Sequence, residues 1–351
     1  MTLPAKTNIN RGIDFHVLAK MPLIHFHPSL SCNLSCSYCT QVDRRDASTQ
    51  HNLIDEKSVI DFFEQIPPTH VYMSGGEPLI QPGIAPFLKR ITGMGHMVSF
   101  DTNLSVRIGD LEKIVRSINI EQIGFFNISH HLVCKVGMQY LLERIRILKD
   151  GDVPHFVKYI GIPEHLPEVA ENMYALKAQG VGVALSLLFS ENWKGKRYPA
   201  DYTMEEIKTL LSLMTTYTHG LQVFEGLYSQ GLACRGGQDF IAWNMLADNE
   251  ILPCCHGFSH PLDIRETFFY TGKKERIPCN IEKCLGDLMF LLGINGVRSE
   301  IDRFDALCRG QSRFLGAKAI LNYMYELIGE GYRVVNEKKM KCFASYLDDD
   351  S

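Results

Sequence analysis

Short apolar runs alternate with amphipathic segments from residue 22 to about residue 217. Six apolar runs predict buried β-strands: LIHFH (23–27), HVYMS (70–74), HMVSF (96–100), QIGFFNI (122–128), HFVKYIGI (155–162) and VALSLLF (183–189). Each is followed by a segment with apolar residues near i, i+3, i+4 and i+7, the spacing of an amphipathic helix. This alternation is typical of βα units and a parallel sheet. The pattern therefore predicts an α/β fold with six βα units, two fewer than a closed eight-stranded barrel.

Residues at the ends of the helical segments support these assignments. The segments are EKSVIDFFEQI, IAPFLKRITGM, DLEKIVRSI, MQYLLERIRILK, LPEVAENMYALKAQG and TMEEIKTLLSLM. Asp110 and Thr203 lie where N-caps belong, and Gly180 follows the end of a helix.

The pattern changes after about residue 218. Gly-rich turns, short strands in DFIAWNML (239–246) and EILPC (250–254), and a higher cysteine density replace the regular βα units, and AKAILNYMYELI (317–328) predicts a late helix. A chain of 351 residues exceeds the size at which a single core usually stops growing. We therefore expect an N-terminal extension (1–21), a main domain (22–217), a small cysteine-rich domain (218–300) and a helical C-terminal segment (301–351).

Composition excludes several classes of function. The net charge is −4 and no Lys/Arg-rich run is present, so no surface for nucleic acid or for a membrane is indicated. The longest apolar stretch, LMFLLGI (288–294), is far shorter than the roughly 18 residues that span a bilayer. The first residues lack the apolar core of a signal peptide. A cytoplasmic protein that acts on a small molecule is expected.

Three of the eleven cysteines stand close together directly after the first predicted strand. Cys32, Cys36 and Cys39 lie at the strand end where parallel α/β folds place their active sites. In a reducing compartment such cysteines are more often metal ligands than disulfides. Three thiolates would leave one iron of a [4Fe-4S] cluster without a protein ligand. The alternative is zinc, for which His25 or His27 would have to supply a fourth ligand.

Two motifs carry a resemblance to a known family. The run C-x3-C-x2-C at residues 32–39, with Tyr38 before its last cysteine, resembles the cluster loop of the radical S-adenosylmethionine (radical SAM) superfamily. SGGEP (74–78) ends the second predicted strand, where that family carries a Gly-Gly-Glu-Pro segment. The resemblance implies a partial (β/α)6 TIM-like barrel. It also implies that the open iron binds SAM, and that a 5'-deoxyadenosyl radical formed from SAM abstracts hydrogen from a substrate.

The same resemblance implies a set of SAM contacts at strand ends. Gly75 and Gly76 allow close approach of the backbone to a ligand, and Glu77 offers an acceptor for an ammonium group. The other implied contacts are Tyr38 along the adenine, Thr102, Asn103 and Ser129 for the ribose or the methionine carboxylate, and Lys158 for that carboxylate. The alternative for each is a capping or solvated polar residue, and a Gly-Gly pair alone also fits a plain turn.

A second cysteine group lies in the C-terminal part. Its members are Cys234, Cys254, Cys279 and Cys284. Their arrangement resembles the auxiliary-cluster extension called the twitch domain, a short form of the SPASM domain, and implies a second [4Fe-4S] cluster. Zinc suits four thiolates equally well. Cys255 leaves open which of the adjacent pair is the ligand; it is also a candidate hydrogen donor to a substrate radical, or an inert buried thiol.

The expected reaction follows from these motifs. His130 and His131, after the fourth strand, are candidate bases for a carbinol oxidation, with strand-end capping as the alternative. Because about thirty residues precede Cys32, we expect a small polar substrate (a sugar, cyclitol or nucleoside), and the polar loop 191–203 is a candidate contact. The predicted function is a radical SAM oxidoreductase of natural product biosynthesis, reduced by a flavodoxin or ferredoxin, with electron transfer to the second cluster.

Three alternatives remain open. The first is an epimerase with a cysteine hydrogen donor, and the second is an enzyme that modifies ribosomally made peptides. The third is a non-catalytic metal or electron carrier, which would need neither SGGEP nor six βα units. Cys134, Cys308 and Cys342 are expected to be packing residues.

Overall fold

The computed structural model describes residues 15–39, 52, 54, 57–231, 240–243, 251–252, 282–284 and 298–349. The strands in this part of the chain are β1 (Leu23–Phe26), β2 (His70–Met73), β3 (Met97–Thr102), β4 (Ile123–Ser129), β5 (His155–Gly161), β6 (Gly182–Leu187), β7 (Ser190–Trp193), β8 (Lys196–Tyr198), β9 (Leu227–Tyr228), β10 (Phe240–Trp243), β11 (Ile251–Leu252) and β12 (Lys283–Cys284). The helices are α1 (Phe15–Leu18), α2 (Lys57–Gln65), α3 (Ile84–Gly93), α4 (Ile108–Ser117), α5 (Met138–Asp150), α6 (Leu166–Ala178), α7 (Met204–Leu213), α8 (Tyr217–Val223), α9 (Arg298–Cys308), α10 (Ala317–Gly329) and α11 (Glu337–Asp349).

The central sheet has eight strands in the order β11-β10-β1-β2-β3-β4-β5-β6. Strands β1 to β6 pair in parallel, each with the next along the chain, which confirms the six predicted strands and the α/β class. On its other side β1 pairs in parallel with β10, and β11 pairs antiparallel with β10. The short strands predicted beyond residue 218 therefore extend the same sheet, which the sequence pattern did not indicate.

Helices α2 to α7 follow β1 to β6 in alternation, as predicted, and cover the outer face of the sheet. In α3, for example, Phe87, Leu88 and Ile91 lie three to four residues apart and are all buried. Burying such a stripe against strands of Val, Ile and Phe stabilises the fold by roughly 1.5–3 kcal/mol for each large apolar side chain. The outer layer is thus an ordinary α/β core that holds the strand ends in place.

Helix ends confirm two of the three predicted end residues. Thr203 caps α7: its hydroxyl accepts from the backbone N–H of Glu206, whose carboxylate accepts from the backbone N–H of Thr203. Gly180 follows α6 in the left-handed region, with φ of 68°. The prediction for Asp110 is wrong, because α4 begins at Ile108 with Arg107 as its N-cap residue. Asp110 lies in the first turn, where a carboxylate interacts favourably with the helix dipole.

Aromatic side chains fill the amino-terminal end of the barrel interior. Phe304 of α9 contacts Phe125 of β4 and Phe156 of β5, with ring centroids 5.0 and 5.5 Å apart. Phe15 of α1 packs on the same Phe304 ring at 5.4 Å. A site inside the barrel is therefore placed toward the carboxyl ends of the strands. No helix in the described part of the chain has the length and apolar character that crossing a bilayer requires.

We expect His70 of β2 to make the protein sensitive to mild acid. His70 is buried, Ser99 Oγ lies 2.8 Å from its Nε2, and burial lowers the pKa of His70 to about 3. Below pH ~6.5 His70 is protonated in the unfolded chain but stays neutral in the native chain. The stability that the neutral, buried His70 contributes is therefore present above pH ~6.5 and is lost as the pH falls toward 3. It amounts to about 2 kcal/mol by pH ~5. Urea unfolding between pH ~7.5 and ~5 would measure it, and the slope should be shallower in His70→Gln; parallel curves for the two proteins would contradict the assignment.

Candidate functional site

The cluster loop (residues 29–39) leaves the carboxyl end of β1 and carries three thiols. Cys36 is 5% exposed, and its thiol lies close enough to Cys32, Cys39 and Cys134 for their charges to affect it. Burial, followed by these neighbours, raises the pKa of Cys36 to about 12. Metal binding at this thiol must therefore displace a firmly held proton.

Two N–H groups are directed at the sulfur of Cys32. The backbone N–H of Leu34 donates to Cys32 Sγ at 3.4 Å, and the side-chain amide of Asn103 donates at 3.7 Å. Such donors stabilise a thiolate, and hydrogen bonds to sulfur are among the factors that tune iron–sulfur clusters. The three neighbouring thiols and these donors fit a [4Fe-4S] cluster in which each cysteine binds a separate iron. Among the residues that the structure describes, no group of three or more His, Cys, Asp and Glu side chains converges on a single metal ion.

The SGGEP segment (residues 74–78) packs against the cluster loop through its backbone. Gly76 N–H donates to Ser29 O at 2.9 Å, and Glu77 N–H donates to Ser31 O at 2.8 Å. A Cβ atom on Gly76 would lie 2.1 Å from Ser31 O, and Gly75 has a φ of 109°. The sequence predicted that these glycines allow approach to a ligand. The structure gives another reason for glycine at these two positions: the absence of a side chain lets the backbone of the SGGEP segment contact the backbone of the cluster loop.

The carboxylate of Glu77 joins the ends of β2 and β3. It is 1% exposed, and its Oε1 accepts from Thr102 Oγ1 at 2.6 Å and from Leu79 N–H at 3.0 Å. Its Oε2 accepts from the backbone N–H of Asn103 at 2.6 Å. Burial raises the pKa of Glu77 to about 7, although these three hydrogen bonds act in the opposite direction. Its role as an acceptor for an ammonium group stays a prediction.

Asn103 extends this network to the cysteines. Its side-chain amide donates both to Cys32 Sγ and, at 3.2 Å, to Asn33 Oδ1. Four residues that the sequence singled out separately, namely Cys32, Glu77, Thr102 and Asn103, thus form one continuous network at the carboxyl ends of β1, β2 and β3. The predicted SAM site is therefore a connected structure rather than a set of isolated side chains.

Lys158 of β5 already has a partner inside the barrel. Its Nζ donates to Asp101 Oδ1 of β3 at 3.1 Å, with 17% and 30% of the two side chains exposed. Ser129 of β4 lies beside Lys158 in register and is half-buried. The contacts of Lys158 and Ser129 with SAM stay predictions.

The sequence pattern singled out His25 and Lys158 for other roles, but it did not predict the group of inward-facing polar residues to which both belong. We call it the inner polar wall, and it takes one residue from each of the first five strands: His25, Tyr72, Asp101, Asn127 and Lys158. Asn127 Nδ2 donates to Tyr72 OH at 3.3 Å, and the rings of His25 and Tyr72 lie 5.4 Å apart. Asn127 is 7% exposed, and its Oδ1 is buried without a hydrogen-bond partner. Polar residues at alternate positions of apolar strands were the available signal.

The histidines proposed as alternative zinc ligands contact other side chains. The Nε2 atoms of His25 and His27 lie 3.2 Å apart, and His25 Nε2 also contacts Ser74 Oγ. They belong to the wall of the barrel beside the SGGEP segment.

The two candidate bases lie in the β4 loop (residues 130–137) and differ in their surroundings. His130 is buried, its Nε2 donates to Val136 O at 2.8 Å, and its Nδ1 accepts from Tyr159 OH at 3.0 Å. Because both ring nitrogens have protein partners, this geometry favours the capping alternative for His130. His131 Nδ1 lies 2.6 Å from Tyr38 OH. Burial, followed by the charges of Cys36 and Cys134, raises the pKa of Tyr38, so its phenol keeps its proton. The tautomer of His131 decides which of the two groups donates in this contact.

The hairpin formed by β7 and β8 begins at Ser190 and makes up the first part of the loop at residues 191–203. It reaches the cluster loop. Trp193 and Tyr38 have ring centroids 6.3 Å apart, and the Trp193 indole donates to Glu164 Oε1 at 3.2 Å. Tyr198 is buried against Tyr202, at 4.6 Å between ring centroids. The hairpin therefore presents Trp193 toward the cluster loop and uses Tyr198 for packing.

The second cysteine group lies mostly outside the described residues. Cys234, Cys254, Cys255 and Cys279 are not among them. Cys284 is half-buried in β12, which pairs antiparallel with β9. The auxiliary cluster, the hydrogen-donor role of Cys255 and the domain limits stay predictions.

Comparison with known proteins supports the interpretation of the first motifs. Residues 27–176 match the family model described as the radical SAM superfamily. This stretch contains the cluster loop from residue 29 onward, the SGGEP segment and every residue predicted to contact SAM.

Two curated relatives are 7-carboxy-7-deazaguanine synthases. The protein of Clostridium acetobutylicum is 31% identical over 77 residues, covering 22% of this chain and 32% of that protein. The protein of Methanospirillum hungatei JF-1 is 36% identical over 81 residues, covering 23% and 33%. The chain thus spans about a third of the length of the curated relatives it matches.

Solved structures confirm the fold. Streptococcus suis SuiB superposes with a TM-score of 0.50 at 13% identity, covering 88% of this chain and 76% of SuiB. The structure of SuiB bound to S-adenosylmethionine gives the same TM-score at 14% identity, covering 68% and 62%. With the six parallel strands of the sheet, this confirms the predicted partial (β/α)6 barrel.

Proposed function

We propose that this chain is a radical SAM enzyme whose Cys32, Cys36 and Cys39 hold a [4Fe-4S] cluster, and that it abstracts hydrogen from a small polar substrate inside the barrel. One observation carries the proposal. The cluster loop and the SGGEP segment, 35 or more residues apart in sequence, are hydrogen-bonded to each other at the carboxyl ends of β1 and β2 and are joined to β3 by Glu77. Active sites of parallel α/β folds lie at these strand ends.

Each group of residues has a definite task. When the cluster and SAM are bound, they supply the electron and the 5'-deoxyadenosyl group for hydrogen abstraction. The protein supplies position: Leu34 and Asn103 hold the sulfur of Cys32, and the backbone of Gly76 fixes the cluster loop against β2. Lys158, paired with Asp101, can share its charge with a carboxylate of SAM.

The inner polar wall supports a polar substrate. A buried acceptor without a partner costs about 1–3 kcal/mol, and Asn127 Oδ1 is such a group. A substrate hydroxyl or N–H would satisfy it. Sugars, cyclitols and nucleosides carry such donors, and the name of the two curated relatives adds a deazaguanine-type heterocycle to the candidates.

We further propose that the substrate is oxidised, with the electron leaving through a second cluster held by Cys234, Cys254, Cys279 and Cys284. A flavodoxin or ferredoxin would supply the first electron. Transfer of solvent deuterium to the substrate carbon would instead indicate epimerisation with a thiol donor such as Cys255, because a thiol exchanges its proton with water.

Anaerobic reconstitution tests the proposal. The wild-type chain should hold roughly eight irons as two clusters, and roughly four after replacement of Cys32, Cys36 and Cys39 by Ala. With dithionite and SAM, the wild type should release 5'-deoxyadenosine and the triple variant should not. Zinc without iron, or iron-loaded protein that leaves SAM intact, would disprove the proposal.

We expect Asn127→Leu to leave the substrate-free protein at least as stable as the wild type. Leu has nearly the shape of Asn, and the change removes an unsatisfied carbonyl at the loss of one long hydrogen bond to Tyr72. The free energy of unfolding should stay constant or rise by about 1 kcal/mol. Asn103→Leu is the matched control, because Asn103 is fully engaged and its replacement should destabilise. Equal destabilisation of the two variants in urea unfolding would show that Asn127 is structural.

A further inference from the structure

The cluster loop and the β4 loop meet through two sulfur atoms. Cys36 Sγ lies 3.4 Å from Cys134 Sγ, which is hydrogen-bonding distance for sulfur, and either thiol can be the donor. Cys36 is buried and Cys134 is half-buried. The sequence predicted only a packing role for Cys134, which lies 98 positions from Cys36.

The β4 loop holds Cys134 at this position through several independent contacts. Cys134 ends a 3₁₀ turn at residues 132–134, and its N–H donates to His131 O at 3.0 Å. The loop is fixed at one side by the hydrogen bond between Tyr38 OH and His131 Nδ1, and at the other by His130 Nε2 donating to Val136 O. Tyr38 and Cys36 are two residues apart in the cluster loop, so the two loops are joined at two neighbouring points.

Iron binding would determine which of the two sulfurs donates the hydrogen bond. A cysteine that ligates iron is a thiolate and has no proton to donate. The remaining proton between the two sulfurs then belongs to Cys134, whose S–H points its weak donor at the ligand sulfur. Hydrogen bonds to cluster sulfurs stabilise the more negative, reduced cluster and so raise its reduction potential. Shielding by the surrounding protein strengthens such a bond relative to one in water.

We propose that Cys134 is a positioning residue that acts through Cys36, donating a hydrogen bond to its sulfur and thereby raising the reduction potential of the SAM-binding cluster. This inference rests on the proposed function, because it needs a cluster at Cys36. Cys134 contacts neither SAM nor substrate in this role. It sets how readily the cluster takes up the electron that SAM cleavage requires.

The test compares reconstituted wild type with Cys134→Ala, Cys134→Ser and Cys342→Ala by redox titration followed with electron paramagnetic resonance. Cys134→Ala should keep its iron and shift the midpoint of the SAM-binding cluster to a more negative potential. Cys134→Ser retains a donor in its hydroxyl and should restore the wild-type midpoint or exceed it. Cys342 is exposed on α11, so its replacement is the matched control and should shift nothing.

The outcomes separate the inference from the proposed function. Identical midpoints in wild type, Cys134→Ala and Cys342→Ala would overturn the inference while the enzyme stands. Loss of the first cluster in Cys134→Ala would also overturn it, because Cys134 would then be a ligand. A reconstituted wild-type protein without a cluster would overturn both the inference and the proposed function.

A second measurement checks the contact without any iron. Diamide applied to the full chain before reconstitution should join Cys36 and Cys134, two thiols giving one disulfide while diamide is reduced to the hydrazine. Peptide mapping without reductant should find this pair in the wild type and lose it in Cys134→Ser. Oxidation of Cys36 with a cysteine other than Cys134 as its partner would show that Cys134 is not its neighbouring thiol and would overturn the inference.

Discussion

Gly76→Ala is expected to abolish SAM cleavage, although the change adds only one methyl group. The new Cβ would lie 2.1 Å from Ser31 O and 2.6 Å from the carbonyl carbon of Leu30. These are backbone atoms of the cluster loop, so no side chain can rotate away to make room. The loop would have to move from the SGGEP segment, breaking the hydrogen bonds from Gly76 N–H and Glu77 N–H. A displacement near 1 Å at a reacting centre costs on the order of 10²-fold in rate.

The measurement is 5'-deoxyadenosine release by reconstituted protein, together with its iron content. Gly93→Ala is the matched control, because a Cβ at Gly93 meets nothing within 4 Å and the residue ends α3. We expect Gly93→Ala to behave as wild type and Gly76→Ala to lose both cluster and activity. A Gly76→Ala protein with normal iron and normal release would show that the two motifs need not touch.

The glycine pair illustrates what the sequence could and could not predict. SGGEP at the end of a strand predicted the location of a ligand site, and the six strands and six helices were visible from period and polarity. That Gly76 meets Ser31 was not visible, because a contact between segments 45 residues apart leaves no local pattern. The resemblance identified SGGEP as a motif, and the close approach of the two backbones explains why the motif contains glycine.

The sequence contained enough information to predict the inner polar wall. Asp101 and Asn127 lie in register on β3 and β4. Asp101 directly follows the predicted apolar run at 96–100, and Asn127 is the last but one residue of the run at 122–128. Alternation along a strand places them on the face opposite Phe100 and Phe126. Each predicted strand is mostly apolar but carries a few polar residues. If those residues share one face of the sheet, the interior of the barrel is predicted to be polar.

Other features depend on tertiary structure that no local pattern encodes. β10 lies beside β1 because a parallel sheet leaves the edge of its first strand open, and any apolar strand later in the chain can pair there. The cap of α4 was misplaced because Asp110 suits both an N-cap and a first turn, and the strand-to-helix connection decides between them.

Glu77→Ala should cost about 3–5 kcal/mol of stability, a loss close to the upper end for single substitutions. The carboxylate satisfies three donors at once, from Leu79, Thr102 and Asn103. Removing it leaves two buried backbone N–H groups without acceptors, at about 1–3 kcal/mol each. Because Asn103 holds the sulfur of Cys32, we also expect weaker iron retention. Urea unfolding and iron content measure the two effects, and Glu171→Gln, at an exposed position of α6, is the control expected to change neither.

Glu77→Gln separates the charge of this carboxylate from its shape. The raised pKa of about 7 means that the native chain binds a proton which the unfolded chain releases above pH ~4.5. This contribution to stability is fully present below pH ~4.5 and is lost as the pH rises through 7. Glutamine does not titrate, so the stability advantage of wild type over Glu77→Gln should be largest near pH ~4.5 and should shrink by about 3 kcal/mol by pH ~8. His70 titrates in both proteins and cancels in the difference. A difference that stays constant across this range would show that Glu77 remains ionised throughout, with its three donors outweighing its burial.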